Sequence, residues 1–106
     1  MELKKLALAT LVGASLLTTA ASADANKGKK LYQKKLKDAC GFTGAVMAAK
    51  HTQDEWEALK EEGKLKDEIK HLCPSVTDKA LKDKFMPHYY DFFYDFASDS
   101  GNIPSC

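Results

Sequence analysis

The chain has 106 residues, 44% hydrophobic and 29% charged, which fits one folded domain and excludes a disordered tail or a large two-substrate enzyme. Its sixteen basic side chains are all lysines, set against fifteen acids. Without the planar guanidinium fork of arginine, base or phosphate readout is unexpected, so nucleic acid is not an expected partner.

The chain opens with Lys4 and Lys5, an apolar run from Leu6 to about Leu17, and the small-residue site Ala21-Ser22-Ala23. A basic start, a short apolar segment and an A-x-A site are the features of a secretory signal peptide. Residues 1–23 are therefore expected to be removed, leaving 24–106 as the domain, with fourteen lysines against fourteen acids. No second apolar run occurs, so no stable membrane insertion is expected after cleavage. Export, by a signal of bacterial type, points to the periplasm and places Cys40, Cys73 and Cys106 in oxidising surroundings.

Helical spacing then recurs, with no β-like alternation. Asn26 is placed to cap a first helix on which Tyr32, Leu36 and Cys40 recur every four residues, and Gly41 stops it. Thr43 opens a short apolar helix through Val46, Met47 and Ala49. Thr52-Gln53-Asp54-Glu55 reads as a capping box, opening a helix that turns Trp56 and Leu59 inward and ends at Gly63. Leu65, Ile69, Leu72 and Cys73 form an amphipathic stripe closed by Pro74. A turn around Ala80, Leu81 and Phe85 leads to Met86-Pro87, and Pro87 suits the first position of the last helix. Between Tyr89 and Phe96 every residue is aromatic except Asp91 and Asp95. Tyr89, Phe92, Phe93 and Phe96 are expected in the core, Tyr90 and Tyr94 beside it, and Asp91, Asp95 and Asp99 toward solvent. The fold class is thus all-α, a small bundle of about five short helices.

Three cysteines allow one disulfide and three pairings. Cys40–Cys73 would tie the first helix to the middle of the fold, at about 3–4 kcal/mol in the chain-entropy model. Pairing either with Cys106 would instead pin the tail, Gly101–Cys106. The expectation is a disulfide between Cys40 and Cys73, with Cys106 unpaired or the alternative partner. Cys40 sits at a helix C-terminus, where the macrodipole disfavours a thiolate, so a catalytic role is not expected of it.

No metal site is expected. His71 and Cys73 point to different sides of a helix, and no C-x-x-C or H-x-x-x-H spacing occurs. No G-x-S-x-G elbow is present, and Glu61-Glu62 and Asp67-Glu68 lie among lysines as solvated surface. Enzymatic activity is not expected. The lysines at 27, 29, 30, 34, 35 and 37 precede the first acid of that helix, Asp38. Such a face either keeps a helix soluble or steers an acidic protein partner toward it, with Lys29, Lys30 and Lys34 as candidate contacts.

In their order, these parts resemble a class I cytochrome c: a signal peptide, a Gly-x-x-Leu-Tyr helix (Gly28-Lys29-Lys30-Leu31-Tyr32), short middle helices, a late Met-Pro and an aromatic terminal helix. In that family the first helix commonly leads into C-x-x-C-H-G, which bonds haem through two thioethers and an axial His. Here Leu36 and Ala39 fall on the two cysteine positions, Cys40 on the axial His and Gly41 on the glycine. Leu and Ala form no thioether, so no covalent haem is expected. The resemblance implies an architecture and, for a non-covalent haem, the axial candidates Cys40 and Met86, with His51, His71 or His88 as substitutes. It also implies a disulfide as replacement for a lost cofactor, aromatics filling its volume, and lysines meeting an acidic redox protein. The functional expectation is an exported partner-binding module associated with electron transfer. The alternatives are an electron carrier with non-covalent haem and a thiol-based redox protein.

Overall fold

A computed structural model describes residues 25–103, so the expected signal peptide and Cys106 lie outside the described residues. Those residues form five helices and one 3₁₀ turn, with no strand among them. Helix α1 covers residues 25–40 and contains a π turn at Tyr32–Leu36. After it come α2 (Gly44–Ala48), α3 (Gln53–Glu61), α4 (Leu65–Leu72), the 3₁₀ turn Asp78–Leu81, and α5 (Met86–Asp95).

The π turn explains why residues four apart share one face of α1. At ~100° per residue, an uninterrupted α-helix would leave Cys40 roughly 80° around the axis from Tyr32. The π turn, closed by the Lys37 N–H on the Tyr32 carbonyl, adds one residue and rotates the remainder of the helix back by about 100°. Tyr32 and Leu36 are consequently buried, and Cys40, half-buried, lies on nearly the same side. Gly41, with φ of 81°, then ends the helix in the left-handed conformation. Asn26 does not cap this helix, because helical structure is already in place at residue 25.

The middle caps form as the side chains dictate. The Val46 N–H donates to Thr43 Oγ1 at 3.3 Å. At α3 the Glu55 N–H donates to Thr52 Oγ1 at 3.2 Å and the Thr52 N–H to Glu55 Oε1 at 3.0 Å, which is the reciprocal capping box. Pro87 stands in the first turn of α5, where its missing N–H leaves no hydrogen bond unmade.

The core is aromatic. Tyr32, Trp56, Tyr89, Phe92 and Phe93 are fully buried, together with Leu36, Met47, Ile69, Leu81 and Cys73. Phe93 is the hub: its ring centroid lies 4.7 Å from Trp56, 5.7 Å from Phe92, 6.3 Å from Tyr89 and 6.4 Å from Tyr32. Each polar ring atom has a backbone acceptor: Trp56 Nε1 donates to the Ala48 carbonyl at 2.9 Å, the Tyr32 hydroxyl to Phe42 and the Tyr89 hydroxyl to Ala80, both at 2.8 Å. These bonds remove the penalty that a buried, unmet N–H or O–H would carry. Phe96, at the end of α5, packs against the core, its ring centroid 5.5 Å from that of Phe92, but stays half-buried.

Helices α1 and α5 cross at Gly28. A Cβ there would collide with the His88 carbonyl and with Phe92 Cβ. The absent side chain lets the two backbones approach and seats Tyr32 against Phe92 and Phe93. The far end of α1 is fixed covalently: Cys40 and Cys73 form a disulfide with a Cα–Cα distance of 4.4 Å. This is the expected pairing, joining the end of α1 to the end of α4. The fold is all-helical and disulfide-stapled.

Candidate functional site

Three places in the fold bear on function: the disulfide, a groove beside Met86, and the lysines of α1. Cys40 is half-buried and Cys73 fully buried, and both sulfurs belong to the bridge. Met86, half-buried, begins α5 and lines an open groove of about 470 Å³. Leu65, Pro87 and Tyr90 supply the apolar wall, Lys60, Lys66, Asp67 and Asp83 a rim of mixed charge, and Cys40 is not part of the lining. The Lys60 ammonium rests over the Tyr90 ring, 4.6 Å from its centroid. Burial, aided by neighbouring acids of which Glu57 acts most strongly, pushes the Tyr90 phenol up to about 12.

The histidines are placed for other work. His51 bridges two carboxylates, Nδ1 to Glu55 at 3.2 Å and Nε2 to Glu68 at 2.7 Å, with its ring edge-on to Trp56 at 4.8 Å. It therefore joins the start of α3 to α4, and its carbonyl accepts the Ser98 N–H at 3.1 Å. His71 is exposed on α4, and His88 lies in α5 at the Gly28 crossing. Among the described residues, no group of three His, Cys, Asp or Glu side chains is placed to hold a metal ion.

These residues do not fit a haem held between Cys40 and Met86. The Cys40 sulfur is bonded to Cys73 and offers no thiolate. Leu36, on a thioether position of the resemblance, is fully buried in the core. Both ring nitrogens of His51 already meet carboxylates.

Around α1, Lys27, Lys30, Lys34, Lys35 and Lys37 are exposed and Lys29 is half-buried. The expected solvent-facing acid stripe of α5 is only partly so. Asp91 and Asp95 are half-buried, and burial holds the Asp95 carboxyl above its ordinary range. Asp99 is exposed and accepts the Gln53 N–H at 2.9 Å. The α5 stripe fails because α5 is covered on more than one side, which the four-residue spacing of its acids does not reveal.

Sequence reasoning missed a second group of lysines. Lys82 and Lys84, on the strap between the 3₁₀ turn and α5, are exposed. The Lys84 ammonium lies 5.5 Å from the Phe85 centroid and that of Lys35, from α1, 5.2 Å. Comparison with protein-family models, characterised proteins and solved structures found no match.

Among the described residues, no helix is long and apolar enough to cross a membrane.

Proposed function

We propose that this protein is an exported, non-catalytic helical module with a cytochrome-c-like build, associated with electron transfer and binding an acidic protein partner through the lysines of α1. The observation that carries this reading is the fate of the α1 end. Where the resemblance would place a haem tether, Leu36 packs into the core and the Cys40 sulfur is spent on Cys73. The interior is filled by Trp56, Tyr32, Tyr89, Phe92 and Phe93, whose polar atoms find partners within the chain. The Gly-x-x-Leu-Tyr segment and the aromatic terminal helix, the two ends of the resemblance, meet at Gly28 and Tyr32. Exposed lysines on a rigid helix provide long-range attraction for an acidic surface, screened by salt.

The test is protein purified from an exporting, haem-competent host. The expected visible spectrum has no Soret band after desalting. A retained band would favour the carrier with non-covalent haem and overturn the haem-free reading. Thiol counting with and without reductant should show two thiols released on reduction. For the binding role, replacing Lys29, Lys30 and Lys34 by Glu should weaken capture of an acidic redox protein, and undiminished capture would refute it.

A further inference from the structure

The lysines of α1 do not stand alone. The strap carries one acid, Asp83, beside its lysines, and the 3₁₀ turn before it carries Asp78; both acids pair with lysines of another helix. Asp78 pairs with Lys70 at 2.7 Å and Asp83 with Lys66 at 3.1 Å, both lysines belonging to α4. The Lys70 ammonium holds the Asp78 carboxyl below its ordinary range. Asp83 is exposed yet compensated, so Lys82 and Lys84 contribute positive charge that their sequence neighbours do not cancel. This surplus meets α1 at one ring. Phe85, half-buried and held edge-on by Tyr89 at 6.4 Å, carries the Lys35 ammonium from one element and the Lys84 ammonium from another.

We infer that α1 and the strap form one composite docking face, joined at Phe85, for a carboxylate-rich protein surface. This deepens the proposed function and rests on it. Carboxylates would bridge between Lys35 and Lys84, and Phe85 would give the contact an apolar centre that ammonium groups alone lack. A protein surface suits it better than a membrane. The large exposed apolar side chains among the described residues are Val46 and Ile103, neither on this face, so nothing here would insert into lipid.

The experiment uses the mature protein with its disulfide intact, an oligoglutamate peptide as probe, and phosphatidylglycerol vesicles as the competing surface. Oligoglutamate should shift the backbone amides of both Lys34–Lys37 and Lys82–Phe85, with association falling as salt is raised. Reversing Lys82 and Lys84 together to Glu should slow association by about tenfold. Reversal of Lys30 and Lys34 should do the same. The control pair Lys50→Glu and Lys64→Glu, exposed and on neither α1 nor the strap, should change it far less. If the α1 reversal weakens binding and the strap reversal does not, the composite face is overturned and the partner-binding reading stands. If neither weakens it, both are overturned. Equal loss from the control pair would reduce the effect to net charge and overturn the composite face. Vesicle binding without oligoglutamate binding would also overturn it. Circular dichroism of each variant checks that the fold survives, and surface lysines give no reason for it to fail.

Discussion

Replacing Gly28 by Ala tests the packing of α1 on α5, because two effects of opposite sign compete there. In an exposed helix interior the change would stabilise by about 0.8–1 kcal/mol, since Ala loses less backbone entropy on folding. Here the added Cβ would meet the His88 carbonyl, a backbone group with no rotamer to escape into, and Phe92 Cβ beside it. Relief requires the helices to separate, loosening the contacts of Tyr32 with Phe92 and Phe93. Overpacking of this kind costs typically 1–3 kcal/mol, more where backbone must move, so the net change should be a loss of about 1–2 kcal/mol. For a domain of this size that is a drop in Tm of roughly 5–15 °C. The assay is thermal and urea unfolding of the oxidised protein, with Gln33→Ala, exposed on the same helix, as a near-neutral control. A Gly28→Ala protein as stable as the parent, or more so, would refute the close crossing and with it the seating of Tyr32.

Replacing Cys40 and Cys73 together by Ala should lower stability by about 3–4 kcal/mol by the chain-entropy argument, read as a shift in urea midpoint; an unchanged midpoint would mean the bridge does not constrain the unfolded chain. In alkaline ultraviolet titration, Tyr89 and Tyr90 should ionise near 12, because burial pushes both phenols up to about 12. Stability from these raised groups is present below an unfolded pKa of about 10 and lost as pH rises toward 12, so unfolding should accompany their ionisation. Asp95, whose carboxyl burial holds above its ordinary range, is a destabilising charge at neutral pH. Asp95→Asn should therefore raise Tm at pH 7 and narrow its gap to the parent on acidification through the carboxylate range; an Asn variant that melts earlier at pH 7 would contradict this.

The legible parts of the fold were those written in local chemistry. Thr52 and Glu55 specify a capping box because both side chains reach backbone N–H groups within one turn. Gly41 marks a helix end because the left-handed conformation strains any side chain. The inward set Tyr89, Phe92 and Phe93 comes from helical period alone, as does the burial of Leu65 and Ile69. The Cys40–Cys73 pairing was one of three arithmetic choices, settled only when the π turn brought Cys40 round to the side of Cys73. A π turn has no composition signature in Tyr32–Leu36, since it answers to what α1 must reach. The His51 bridge was half legible: Glu55 stands four residues on, but Glu68 arrives from α4. The pairs Lys70–Asp78 and Lys66–Asp83, which tie the 3₁₀ turn and the strap to α4, were hidden for the same reason.

Thus the sequence alone determined the all-helical class, the caps at Thr43 and Thr52, the aromatic content of the core, and the lack of a thioether-forming cysteine at Leu36 and Ala39. Each depends on neighbours within a few residues, where backbone geometry fixes what can meet. Tertiary structure decided which cysteines bond, how closely Gly28 lets α1 approach α5, which acids neutralise which lysines, and that Lys35 and Lys84 meet at Phe85. Those outcomes depend on distances between chain-distant groups, and such distances exist only once the aromatic core has closed and set the helices against one another.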